Sequence, residues 1–274
     1  MRRRLLIAVG IVLAPISGTP AADPAKKGPE KVELPAAGGA AFLKAEDSAT
    51  EILRKVIDAY GGREKLKQWR CGHLHYRTKI IVDPTHDADA EMDEYFEYPG
   101  RFKRVARMTK NGETSEMTFV INKEIAWMHD VQRGVRPLPS SSLPAVDRKE
   151  HQFAVFDNFS YLEEKGITLE NLGKKMVGDR PTVALRAKGE GRPETEMYFD
   201  LTTGLLLKTR VNDPVPTVFK GLVETTHSDF KRFQGVVFPT KLQSVSNGKT
   251  VMEIDLLELT FLDKLEDSLF TPPK

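Results

Sequence analysis

Two histidines one residue apart, His73 and His75, are the first residues in the chain whose type and spacing could do chemistry. On an extended strand an H-x-H pair places both imidazoles on one face, the beginning of a metal site. Two further ligands would be needed, and the sequence offers no convincing partner. Arg77 and Lys79 fall on the same face, so a solvated sheet surface is the expected reading. The next run, Asp83, His86, Asp87, Asp89, Glu91, Asp93 and Glu94, carries alternating carboxylates in the manner of a calcium loop. Counted from Asp87, the sixth position is Met92 rather than Gly and the twelfth is Tyr98 rather than Glu, which excludes an EF-hand. An exposed acidic loop is expected there.

Other chemical patterns fail on their own terms. Gly189-Glu190-Gly191 opens like a dinucleotide fingerprint, but Glu194 stands where the next glycine belongs and a strand follows instead of a helix. The chain has no G-x-x-x-x-G-K-[ST], no H-E-x-x-H and no G-x-S-x-G. A scattered triad of one of Ser140–Ser142 with His129 and Asp130 is disfavoured, because Pro137, Pro139 and Pro144 make that stretch an ordinary loop. The basic strand Arg101, Lys103, Arg104, Arg107, Lys110 is the strongest charge cluster, and pairing with the neighbouring acidic run is its expected use. No catalytic residue, metal or cofactor is assigned, and the chain is not expected to be an enzyme.

The opening residues read as an address. Arg2, Arg3 and Arg4 precede an apolar run of about 12 residues, Leu5 to Ile16, followed by small residues, the pattern of a secretory signal peptide at 1–21. That run is too short for a transmembrane anchor, which needs roughly 20 residues. The whole chain has 41 Lys and Arg against 39 Asp and Glu; removing residues 1–21 takes away three Arg and no acid, leaving 38 against 39, a net charge of −1. A near-neutral surface argues against nucleic-acid binding. Cys71 is the only cysteine, so no intrachain disulfide forms and none follows the signal to carry acyl groups; it is expected to be a buried small hydrophobe. The product is expected outside the cytoplasm, soluble and periplasmic.

Residues 22–46, rich in Ala, Pro, Gly and Lys, are expected as a flexible lead to one domain at 47–274. That domain opens with a helix, signalled by Ser48 and Glu51 in capping-box spacing, an Ile52, Val56, Ile57, Tyr60 face and a Gly61-Gly62 stop. After Gly72 the period becomes two, with Leu74, Tyr76, Thr78, Ile80 and Val82 on one side. Many strands follow, with turns at Asn111-Gly112, Thr203-Gly204, Gln234-Gly235 and Asn247-Gly248, interrupted by a helical pattern between Pro144 and Gly166. The fold class is α+β and mostly β, an antiparallel sheet with helices packed on one face.

Four anchors resemble the superfamily of bacterial lipoprotein-localisation factors and outer-membrane lipoprotein-sorting proteins: Tyr60-Gly61-Gly62 with Glu64 and Leu66; Tyr198 to Leu205 (YFDLTTGL); Asp229-Phe230 followed by Gly235-Val236-Val237-Phe238-Pro239; and Phe270-Thr271-Pro272-Pro273. Together they span most of residues 50–274. The resemblance implies a curved antiparallel sheet, an unclosed half-barrel with helices on its concave face, around a hollow for acyl chains. It would make Phe153, Phe156, Met197, Phe199, Leu205 and Leu207 candidate lining residues, with Phe153–Leu162 as a lid. The same positions suit a filled core, and periodicity does not separate the two. The implied function is an exported, non-enzymatic carrier or chaperone of apolar cargo, lipid acyl chains or a lipoprotein. The alternative is an interaction module with a cell-envelope protein partner, and a dispersed-site enzyme stands third.

Overall fold

The computed structural model describes residues 29–34, 40–83, 86–110, 113–123, 125–138, 159–190, 193–213 and 221–273. The expected signal segment, the lining candidates Phe153 and Phe156, Ser140–Ser142 and the Asn111-Gly112 turn lie outside these residues.

The first helix, α1 (Ala49–Ala59), begins where the Ser48 side chain accepts the Glu51 N–H at 3.2 Å. Its Ile52, Leu53, Val56 and Ile57 are buried, while Arg54 bridges Glu51 and Asp58 on the outer side. It stops at Gly61, whose φ of +120° suits glycine and whose missing Cβ would stand 2.4 Å from the Gly235 carbonyl oxygen. A short second helix, α2 (Arg63–Leu66), follows.

The strands are β1 (Glu30–Lys31), β2 (Cys71–Asp83), β3 (His86–Glu97), β4 (Arg101–Lys110), β5 (Glu113–Asn122), β6 (Ile125–Asp130), β7 (Gly134–Pro137), β8 (Thr168–Val177), β9 (Arg180–Lys188), β10 (Glu194–Asp200), β11 (Leu206–Asp213), β12 (Gly221–Phe233), β13 (Val236–Ser246) and β14 (Lys249–Phe261). They form one antiparallel sheet of order β7-β6-β5-β4-β3-β2-β14-β13-β12-β11-β10-β9-β8, with β1 on β12, and β7 and β8 do not pair. The sheet is thus an unclosed half-barrel. Two meanders, β2 to β7 and β8 to β14, meet where β14 pairs with β2.

Alternation along the strands separates two chemistries. Leu74, Tyr76, Thr78, Ala90, Met92, Phe96, Phe102 and Ala106 point to the concave side, where α1 packs. The convex side carries rows of charge that change sign from strand to strand. Glu170, Arg186, Glu196, Arg210 and Glu224 stand opposite one another across β8 to β12. Asp255, Arg77, Glu91, Arg107 and Glu116 do the same across β14 and β2 to β5. Directly opposed unlike charges favour this register and oppose a slip.

That second row corrects the expected acidic loop at 83–94. Residues 86–97 are an interior strand, paired with β2 on one side and β4 on the other. Carboxylates disfavour a strand taken alone, but here Asp89 faces Lys79, Glu91 faces Arg77 and Arg107, Asp93 faces His75 and Glu94 faces Arg104, partners that only the pairing supplies.

Two terminal segments complete the body. Within the expected lead, Glu30 and Lys31 pair with Arg232 and Lys231 of β12, and Leu43 is fully buried while its N–H bonds the Leu201 carbonyl. After β14 the chain crosses to the convex face, where Leu265 and Phe270 form a second small core with Cys71, Val120 and Trp127.

Candidate functional site

One end of the concave face is plugged. The Tyr60 hydroxyl accepts the Leu206 N–H at 3.0 Å, and its carbonyl accepts the Val237 N–H at 3.0 Å, so α1 is bolted to the β10–β11 and β12–β13 hairpins. Phe159 is fully buried edge-on between Tyr60 at 4.8 Å and Phe199 at 5.9 Å. The 3₁₀ turn after it, Ser160–Glu163, is held by a two-pronged Arg63–Glu163 ion pair. Of the candidate lining residues described, Met197, Phe199, Leu205 and Leu207 are all buried, and Phe199 packs within this plug.

Beyond the plug the concave wall changes character. In β2 to β6 and β14 the inward positions include Ile80, Met92, Met108, Met117, Met128, Met252 and Ile254; Met92 is buried and the others are half-buried. Five of the eight methionines in the chain therefore share one wall. Methionine is flexible and polarisable, and it suits a surface that adapts to varied apolar shapes. The sequence signal was present in the period-two positions of these methionines, but a set spread over five strands becomes a patch only once the strand order is known.

A polar cluster interrupts this wall. Glu94 on β3, 2% exposed, forms an ion pair with Arg104 Nε on β4, and the Tyr76 hydroxyl donates to the same carboxylate at 2.6 Å. Burial raises the Tyr76 phenol well above its ordinary range, and the Glu94 charge beside it adds to the rise. Desolvation acts against the Arg104 charge, and Glu94 overrides it, so the guanidinium is raised above its ordinary value. Nearby on the same face Asp130 takes Arg136 and the N–H groups of Gln132 and Arg133, which closes the β6–β7 hairpin.

The residues singled out for chemistry disperse or pair off. His73 Nε2 and His75 Nδ1 lie 2.9 and 3.1 Å from Asp93 Oδ1 on the convex face, and His75 Nε2 lies 3.0 Å from Glu91. Burial works to raise the Asp93 carboxyl; hydrogen bonds from Arg107 and His73 outweigh it and hold the group below 3.8. Among the described residues no group of three or more His, Cys, Asp or Glu is arranged to hold a metal ion. His129 and Asp130, adjacent on β6, point to opposite faces and form no dyad. The basic run splits likewise, with Arg101 on Glu97 and Asp267, Arg104 on Glu94, and Arg107 on Asp93 and Glu116.

Among the described residues no helix is long and apolar enough to cross a membrane. No protein-family model and no curated protein sequence matches the chain, so the likenesses found are structural. A LolA superfamily protein from Nitrosomonas europaea superposes with a TM-score of 0.54 at 12% identity, over 82% of this chain and 98% of that one. A putative outer membrane lipoprotein-sorting protein domain from Vibrio parahaemolyticus superposes with a TM-score of 0.53 at 11% identity, over 83% of this chain and 97% of that one. At this level of identity the likeness is one of architecture: the chain shares the fold of these two proteins.

Proposed function

We propose that the chain is an exported, non-enzymatic carrier that shelters apolar cargo, lipid acyl chains or the acylated end of a lipoprotein, against its concave face. The observation that carries this reading is the half-buried methionine wall beyond the plug, set against a convex face whose charges are engaged with one another. Apolar surface left partly open on the inner side of an unclosed sheet gains roughly 25 cal/mol per Å² when cargo covers it, before ordering costs. The likeness to a lipoprotein-sorting domain supports the same reading at the level of fold.

Native mass spectrometry of the detergent-free protein, with organic extraction of bound species, tests the proposal. Co-purifying lipid or acylated peptide that is lost in Met117→Asp/Met252→Asp, with circular dichroism unchanged, supports it. A clean unliganded mass with no uptake of added acyl lipid overturns it and favours the interaction module.

A further inference from the structure

One patch of the concave face is polar without being charged. Thr209 on β11 pairs with Met197 on one side and Thr225 of β12 on the other, Thr225 pairs with Ser244 of β13, and Ser244 with Met252 of β14. Three hydroxyl residues therefore stand in a row that ends on the methionine wall. Thr225 and Met252 are half-buried, while Thr209 and Ser244 are 1% and 2% exposed. The Thr225 and Ser244 oxygens lie 2.9 Å apart, one donating to the other. That single bond leaves one of the two O–H donors unspent among the described residues. The Thr209 hydroxyl, enclosed beside them, makes no hydrogen bond. Leaving it so costs stability that valine, of nearly the same shape, would recover. The row thus holds more hydrogen-bonding capacity than the protein itself uses.

The surroundings set the kind of group that can use this capacity. Neither this row nor the next along the same face, His227, Leu242 and Ile254, contains a Lys, Arg, Asp or Glu. Burial keeps the His227 imidazole uncharged. An ionic head group placed here would give up its hydration and gain no countercharge. A ligand hydroxyl both donates and accepts, as serine and threonine do, and an ester oxygen accepts, so a neutral group carrying both exchanges its bonds to water for bonds to this row. Because Met252 is the cross-strand neighbour of Ser244, an attached acyl chain passes from the hydroxyls onto the methionines without a break. Resting on the carrier reading above, we infer that Thr209, Thr225 and Ser244 bind the uncharged hydroxyl-and-ester end of a monoacylglycerol-type lipid, whose chain lies along the methionine wall.

Competition against the neutral dye Nile red tests this near neutral pH, with monodecanoylglycerol, methyl decanoate and decanoate as competitors. The first two share a chain and an ester and differ in the free hydroxyls. A purely apolar hollow favours the methyl ester, whereas the wild type should prefer the glyceride by about tenfold. In Thr225→Val/Ser244→Ala that preference should disappear, with methyl decanoate changing little. Thr209→Val separates binding from packing: it should raise the urea midpoint of the unliganded protein and reduce the preference, which a purely structural hydroxyl would leave untouched. Equal wild-type affinities for glyceride and methyl ester, decanoate that binds as tightly as the glyceride, or a preference undiminished in both variants overturns the inference and leaves the carrier reading standing. No uptake of Nile red or of any competitor overturns the carrier reading itself.

Discussion

The hydroxyl of Tyr60, at the end of α1, accepts the backbone N–H of Leu206, 146 residues later, at 3.0 Å in a fully buried setting. Removing the oxygen leaves a buried amide with nothing to bond. Tyr60→Phe should therefore cost about 1–3 kcal/mol in urea unfolding despite retaining the ring, and an unchanged midpoint would show that the amide finds another partner.

The carboxy-terminal turn shields Cys71. Trp127 donates its indole N–H to the Phe270 carbonyl at 3.3 Å, and the Arg101 guanidinium lies 4.2 Å from the Phe270 ring centroid. Burial, with the Glu97 charge nearby, pushes the Cys71 thiol up to about 11. The native protein should resist thiol reagents at neutral pH. Phe270→Ala should cost about 3–5 kcal/mol and accelerate Cys71 labelling under native conditions, measured with a chromogenic disulfide. Equal labelling rates in the two proteins would mean that the turn does not guard the thiol.

His227, on the concave side of β12 and 4% exposed, is held neutral by desolvation, which lowers it from 6.5 to about 3. Between those values the unfolded chain binds a proton that the folded chain refuses. This residue's contribution is complete above pH 6.5 and is lost as the pH falls toward 3. The wild type should lose up to about 1.4 kcal/mol per pH unit from this group in that window. His227→Gln should flatten the slope, and parallel stability curves for the two proteins would contradict the assignment.

The methionine wall should be chemically addressable. Mild peroxide should oxidise Met108, Met117, Met128 and Met252, which are half-buried, along with the exposed Met176, while Met197 at 0% exposure is spared. Sulfoxides make the wall polar, and acyl-lipid uptake should weaken by about tenfold. Peptide mapping locates the oxygen, and full uptake after oxidation of the four wall residues would place the cargo elsewhere.

Much of the frame was legible in the residues. The alternation of Leu74, Tyr76 and Thr78 with His73, His75 and Arg77 marked the two faces, and the turns at Thr203-Gly204, Gln234-Gly235 and Asn247-Gly248 are positions where the chain needs positive φ. What stayed hidden depended on partners distant in sequence. The carboxylates of residues 87–94 resemble a solvated loop until β2 and β4 stand beside them. Glu94 looks like its exposed neighbours until the side it faces is known. The short strand β7 carries too few residues for periodicity to register. Leu43 shows no repeating pattern, and only the plug gives it a place to be buried.

The meeting of β2 and β14 has a consequence for the route to this fold. Apart from β1, every other pairing joins strands consecutive in the chain, so each meander can zip hairpin by hairpin at small entropic cost. Pairing residues 72–80 with 252–261 instead closes a loop that encloses most of the molecule. High sequence separation slows this step, so the two halves can acquire order before the seam joins them. Until it does, both meanders present an unpaired central edge, and the interval before closure is when the chain is most open to association with a second copy.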